Sequence, residues 1–434
     1  YGFKSRYYID ASWRTDGSSR FHPSDRWGHF WSVGASWRIS EEQFMENTRQ
    51  WLDNLTLKVS YGVQGNDNLG TYYAWQGLYD YTWPNATDAG AFVDKLENRK
   101  VTWEKNGNLN AGIEATMFGG RLGVSVEYYN RKTRDMLLNS PLPISTGFTG
   151  FNDNVGSLRN QGLEVSLRGT ILDKRDFRWD ATLMGSFNRN KVLSLTGGQD
   201  VITSGIRVIE VGRPIYTFYL PKTAGVDPAT GKQLYYAYWT QTVNDEGTLV
   251  NTRCDEYITD NVAMATLSKY YHESREPKLF GSIGSTFTIL KNIDVSFLTT
   301  YSIGGWVYDG LYNGSMYVQY AGNNWHKNAK RRWQKPGDKT DVPMLEVGGS
   351  YATTSNSLID ASYFAIKNIT VGYTLPKRWL KKIDIESLRI YATLDNIAMF
   401  NHMDGMDPQY NFTGSVAYSY TPSRVIAFGI DLNF

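Results

Sequence analysis

The chain has 434 residues, with 45 Lys or Arg against 43 Asp or Glu. A formal net charge of +2 gives no strong electrostatic case for nucleic acid or for an anionic membrane surface. Its one cysteine, Cys254, excludes an intramolecular disulfide framework and a cysteine-based metal cluster. Mean hydropathy is −0.44 and no run of about 18 apolar residues occurs, which excludes a transmembrane helix but not a barrel of alternating strands.

In chain order, the dominant pattern is a period of two. Tyr7, Ile9, Ala11 and Trp13 alternate with Tyr8, Asp10, Ser12 and Arg14. Trp31 to Ile39 and Leu55 to Gln64 repeat it, as do Leu109 to Met117, Leu122 to Tyr128, Leu163 to Ile171 and Trp179 to Phe187. Further strands are expected at Leu279 to Ile289, Val295 to Ile303, Ile369 to Leu375 and Leu388 to Leu394. The last is Val425 to Phe434, where Phe428, Ile430, Leu432 and Phe434 share one face and Gly429, Asp431 and Asn433 the other. About twelve strands result, each near the ~9–11 residues needed to cross a bilayer at a tilt.

The connectors alternate too. Short links stand at Phe118 to Arg121, Asp173 to Asp176 and Leu290 to Asp294, with a somewhat longer one from Pro376 to Glu386. Long polar and aromatic links run near 65–106, 134–157, 192–277, 305–360 and 399–420. Short turns on one rim and long loops on the other is the pattern of an outer-membrane barrel, with the short turns periplasmic. The fold class expected is therefore all-β, an antiparallel transmembrane β-barrel. Aromatics at 15% and 41 glycines suit interfacial girdles and tight turns. A short amphipathic helix is expected over Glu41 to Trp51. The chain opens at Tyr1 inside a strand-like segment and carries no readable targeting address. An edge left uncovered in lipid leaves backbone groups without partners. Residues 1–434 are therefore expected to be one half of a larger barrel.

Several stretches together resemble the SusC/RagA family of TonB-linked outer-membrane transporters. They are Asp16-Gly-Ser-Ser-Arg-Phe21, Arg26-Trp-Gly28, Trp37 to Glu42, Tyr61-Gly-Val-Gln-Gly-Asn66, Trp103-Glu104 and Asn160 to Glu164. Gly225-Val-Asp227 with Gly231, Arg332-Trp333, Lys367 to Pro376, Asp395-Asn396 and Asp407-Pro408 continue the series in order. Departures are His22 after Phe21, Ala365 where Arg is expected and Gln409 where Glu is usual. The resemblance implies that this chain is the C-terminal half of a 22-stranded plugged barrel, with plug domain and N-terminal strands outside it. It also implies active import of an oligosaccharide or peptide, a SusD-like surface lipoprotein over the mouth, and energy from TonB-ExbB-ExbD.

No motif calls for a cofactor or catalysis. The five histidines are scattered, and no nucleophile elbow occurs. Gly225 to Lys232 lacks the spacing of a phosphate loop, and Gln233 stands where Ser or Thr is needed, so it reads as a Pro/Gly turn. Asn66 to Gly70 offers oxygens to a hard cation such as calcium or forms a plain turn. The best candidates for contact with substrate or partner are the aromatic loop clusters Tyr235, Tyr236, Tyr238 and Trp239, and Trp306, Tyr308, Tyr312, Tyr317, Tyr320 and Trp325. Among these Tyr235, Tyr238, Trp239, Trp306, Tyr312 and Trp325 are singled out, with packing inside the loops or an outer girdle at the headgroup level as the alternative. Lys330 to Arg332 are a contact for an anionic ligand, a solvated loop charge run or a lipopolysaccharide contact. Arg38, Lys58, Glu114, Glu127, Glu164 and Arg168 are expected on a polar wall facing the lumen. The rival readings are a passive porin or adhesin barrel and a complete outer-membrane barrel enzyme.

Overall fold

The computed structural model describes all residues except 85, 89, 196–199, 317–323, 347–350, 382–384, 404–405, 410–411 and 417–419. One thirteen-stranded sheet dominates it, with every strand paired to its predecessor along the chain apart from intervening loop strands. Its members are β1 (Gly2–Phe3), β2 (Tyr7–Gly17), β3 (Trp27–Arg38), β4 (Leu52–Asn66), β5 (Glu104–Met117), β6 (Leu122–Arg134) and β7 (Ser157–Lys174). Then come β8 (Phe177–Ser194), β9 (Leu279–Ile289), β10 (Ile293–Ile303), β11 (Tyr363–Thr374), β12 (Ser387–Asn401) and β13 (Val425–Asn433). All neighbours are antiparallel, and the twelve long strands are the twelve expected from alternation.

Register converts the alternation into two faces. Ala115, Val124, Leu167 and Leu183 stand opposite one another across β5 to β8; Glu114, Ser125 and Ser166 form the neighbouring row. A slip of one residue would exchange the faces, so the pattern fixes the pairing. The apolar face is bare: Trp13 is 70% exposed, Ile430 66% and Phe428 81%. Such a continuous apolar surface needs a cover, and in a barrel wall that cover is lipid. The sheet ends at β1 and β13, which do not pair with each other, so the barrel is partial and open.

The two rims differ as expected. Links 118–121, 175–176, 290–292 and 375–386 are short; 67–103, 135–156, 195–278, 304–362 and 402–424 are long. Link 39–51 departs from expectation, because it forms two 3₁₀ segments, Ile39–Glu41 and Gln43–Thr48, instead of one amphipathic helix. Glu42 between them is extended, and its carboxylate accepts from the Tyr7 hydroxyl at 2.6 Å, Trp37 Nε1 at 3.1 Å and the Arg6 guanidinium at 3.1 Å. Three donors from the barrel rim outweigh the helical hydrogen bonds that a continuous turn would gain.

Near the same short-turn rim, Arg389 of β12 joins Asp294 of β10 at 2.6 Å and Asp431 of β13 at 3.1 Å. The guanidinium crosses the space above Gly372 of β11, where an added Cβ would lie 2.5 Å from the Asp294 carboxylate. The buried hydrophobic clusters lie on the opposite, long-loop rim.

Candidate functional site

The motifs scattered along the N-terminal third converge on the long-loop rim. Phe21, Phe30, Val101 and Trp103 form one buried cluster, with the Trp103 ring 5.5 Å from Phe21 and 5.3 Å from Phe30. Trp103 Nε1 donates to the Arg26 carbonyl at 2.9 Å. Gly28 and Gly65 leave room for the Phe30 ring, which lies 2.4 Å and 2.1 Å from where their Cβ atoms would stand. His22, a departure from the family pattern, sets its ring edge-on to Trp75 at 5.2 Å.

The candidate calcium turn is occupied by its own hydrogen bonds. Asp67 accepts from the Ser18 hydroxyl at 2.7 Å and faces Arg20 at 3.7 Å, while Asn66 and Asn68 cap the turn's amides. Among the described residues no group of three His, Cys, Asp or Glu side chains could hold a metal ion.

Gly225 to Lys232 is a turn. Asp227 accepts from Ala229 N–H and the Thr230 hydroxyl, and Gly231 adopts φ +74°. The Trp333 ring covers Gly231 so closely that a Cβ would meet it at 2.4 Å; Trp333 Nε1 donates to the Pro228 carbonyl at 2.9 Å. Two motifs far apart in sequence thus latch loop 195–278 to loop 304–362. The other family-like positions also pack locally. Pro408 accepts from Arg275 at 2.7 Å, Gln409 bonds Asp407, and Ala365 is buried beside a cavity that Asp407 and Arg424 also line.

The singled-out aromatics lie in two neighbouring groups. Tyr235, Tyr238 and Trp239 share the strand Gln233–Val243, part of a three-stranded loop sheet. Tyr235 is 1% exposed, and its hydroxyl accepts from Ala352 N–H. Tyr238 donates to the Lys269 carbonyl at 2.6 Å, and burial is the main cause pushing its phenol up to about 12. Trp239 is half-buried, with its backbone held by Ser268 and Tyr257. Tyr312 lies on the helix Gly310–Met316 with its ring against His326 at 4.8 Å, and Trp325 is exposed nearby in sequence. Tyr317 and Tyr320 lie outside the described residues. Arg331 of the basic run pairs with Asp341 at 3.1 Å.

Trp306 lines a cavity of about 620 Å³ between the two loops, together with Tyr271, His272, Arg213 and Glu273. The Arg213 guanidinium stacks 3.7 Å from the Tyr271 ring centre. Alternation could not find these partners, because short loop strands bring them together over long sequence distances. Burial is the main cause lowering the His272 pKa below 6.5, and its Nε2 lies 3.2 Å from the Leu220 carbonyl. A depressed folded pKa means that the opened loop takes up the proton more readily, so packing weakens as pH falls below about 6.5. Limited proteolysis of 195–278 is therefore expected to be faster at about pH 5.5 than at about pH 7.5, with the difference reduced in His272→Gln. An undiminished difference in the variant would assign the effect elsewhere.

The polar face carries the larger cavities. One of about 920 Å³ spans β2 to β8 and includes Glu127 and Glu164, with Phe412 of the last long loop at its border. A second, of about 860 Å³, takes in Glu114 and Arg168. Lys58 pairs with Glu114 at 2.6 Å and Arg38 with Glu41 at 3.3 Å. The residues expected on a polar wall share that face.

A sheet with one lipid-ready face, one polar face and unequal rims defines the wall of an outer-membrane-type β-barrel. A family model described as TonB dependent receptor-like, beta-barrel, matches residues 1–397, and the chain belongs to that family. It is 28% identical to TonB-dependent receptor P26 of Formosa agariphila, over all of this chain and 45% of that protein. It is 28% identical to TonB-dependent receptor SusC of Bacteroides thetaiotaomicron, over all of this chain and 43% of that protein. The solved RagAB peptide transporter superposes with a TM-score of 0.84 at 29% identity, covering all of this chain and 46% of that one. The SusC/RagA resemblance read from the motifs holds along the full chain, which spans about half the length of these relatives.

Proposed function

We propose that the protein imports a bulky nutrient, an oligosaccharide or a peptide, across the bacterial outer membrane by TonB-dependent transport. The observation that carries this reading is the family membership of a two-faced sheet whose polar face holds two wide cavities. Strands outside this chain close the barrel to 22 and a plug fills its lumen, since an open edge in lipid leaves backbone groups unpaired. TonB-ExbB-ExbD supplies the energy through that other part. A SusD-like lipoprotein closes over the long-loop rim, where Tyr238, Trp239, Trp306, Tyr312 and Trp325 offer ring faces to lid or cargo; Tyr235 supports them from within. The barrel needs no covalent chemistry for this, only binding, occlusion and release.

Whole-cell uptake tests the reading. Fluorescent maltodextrin and a fluorescent casein digest are supplied to wild-type cells and to cells lacking the gene, with and without a protonophore. Gene-dependent uptake of one cargo that stops with the protonophore is expected. Gene-dependent uptake indifferent to the protonophore would indicate a passive porin.

A further inference from the structure

The apolar face of β5 to β8 ends in cations. Ala111, Tyr128, Leu163 and Phe187 stand opposite one another, and the last three are exposed. Two residues nearer the long-loop rim the row reads Leu109, Asn130, Gln161 and Arg189. The next reads Gly107, Lys132, Arg159 and Lys191, and beyond it Arg134 stands opposite Lys105. Each of these residues is an even number of positions from Ala115, Val124, Leu167 or Leu183, with no register shift between. All of them therefore share the lipid-facing side.

Lys132, Arg159 and Lys191 set like charges directly opposite one another on three adjacent strands, about 5 Å apart from strand to strand. That arrangement destabilises a sheet unless an anion sits between the charges. Among the described residues no carboxylate lies within ion-pair distance of Lys132, Arg134, Arg159, Arg189 or Lys191; Lys105, at the margin, reaches Asp135 at 4.0 Å. The cluster is local. Near the long-loop end of β10, β11 and β12 the same face carries Tyr301, Phe364 and Phe400 in cross-strand register.

The depth of the cluster selects the anion. Short turns are periplasmic, so the long-loop rim faces outward and the cations stand where the apolar band gives way to the outer-leaflet headgroups. Tyr128 marks that boundary, with its hydroxyl accepting Asn130 Nδ2 at 3.4 Å. We propose that Lys132, Arg134, Arg159 and Lys191 bind the phosphates of one outer-leaflet glycolipid of the lipopolysaccharide type. Its acyl chains lie on Tyr128, Leu163, Phe187 and the apolar rows beneath them. Arginine forks and lysine ammonium groups hold phosphate by charge-assisted hydrogen bonds, while Asn130 and Gln161 offer amides at the level of the sugars. A free phosphate satisfies the cations alone; only a lipid also covers the exposed rings below. The site goes beyond the import reading and is independent of the cargo.

The test is native mass spectrometry of the protein extracted in detergent from outer membranes, with any chain that co-purifies, after delipidation. The probes are phosphorylated lipid A, the same lipid A without its phosphates, and inorganic phosphate. Phosphorylated lipid A is expected to bind about tenfold tighter than the dephosphorylated form. Combining Lys132→Gln, Arg159→Gln and Lys191→Gln should remove that preference and leave binding of the dephosphorylated form unchanged. Without lipid, this triple variant should melt no lower than wild type, because the opposed charges are gone, and heat-modifiable migration verifies that it folds. Arg131→Gln, one residue from Lys132 but lining the polar-face cavity, should keep the preference. Equal binding of the two lipid A forms, or a preference that survives in the triple variant, would overturn the assignment. So would loss of the preference in Arg131→Gln, which would make net charge the selector. Inorganic phosphate raising the melting temperature as much as phosphorylated lipid A would make this a free-anion site. A triple variant that dissociates paired copies while lipid binding stays unchanged would make the patch a protein interface, and either result would overturn the lipid assignment.

Discussion

Replacing Val124 with Arg, two residues in from the short-turn end of β6, is expected to destabilise the protein by about 1–2 kcal/mol, between the midplane cost of about 2–4 and the interfacial cost of about 0–1, whereas Ser125→Asn should change stability by no more than about 0.5 kcal/mol. The two residues are adjacent on β6 but face opposite ways. Val124 sits in the row Ala115, Val124, Leu167, between Leu122 and Tyr128 of the same apolar stripe. A guanidinium there has only lipid around it. Ser125 lies between Glu114 and Ser166 on the polar face, where an amide finds water and partners. Denaturant unfolding of the protein in lipid bilayers measures both. Equal sensitivity at the two sites would reject the assignment of faces.

Trp103→Ala is expected to lower the local stability of the long-loop rim by about 3–5 kcal/mol, the usual cost of emptying a buried aromatic site. The indole is 7% exposed, touches Phe21 and Phe30, and gives its N–H to the Arg26 carbonyl. Removing it opens a void on a rim whose glycines at 28 and 65 already leave space for Phe30. It also leaves the Arg26 carbonyl without that donor. Thr102 N–H donates to Asn154 Oδ1 at 2.9 Å, so the loss reaches the 135–156 loop as well. Hydrogen exchange should rise in 18–26 and 98–103 and stay low in β6 and β7. Unchanged protection at 18–26 would show that the cluster does not hold the rim together.

The wall was legible in the sequence because its physics is local. Each crossing strand declares itself by a period of two, and the parity of link lengths orders the rims. What alternation missed has identifiable causes. β7 and β8 run well beyond Leu163 to Ile171 and Trp179 to Phe187, because toward the long-loop rim their pairing continues with mostly polar residues, the Leu158–Val192 pair apart, that break the alternation. The 3₁₀ segments around Glu42 depend on Tyr7 and Arg6, partners that a local pattern cannot include.

The loop assemblies were the least legible. Tyr235 and Tyr238 read as loop aromatics, yet they stand on a strand paired with Leu249–Thr259. Trp306 reaches its cavity through pairing of Trp306–Asp309 with Leu358–Asp360 and Ser415–Val416. The strands around Trp306 are too short to show alternation, Gln233–Val243 and Leu249–Thr259 carry aromatic or polar residues on both faces, and all these pairings close long loops.

The most direct measurement is a cryo-electron-microscopy structure of the protein extracted from native outer membranes. The account predicts a closed barrel in which the free edges at β1 and β13 pair with strands outside this chain, with Val124 toward detergent and Glu127 toward the lumen. Twelve strands closing on one another, or Val124 and its row facing an interior core, would contradict it.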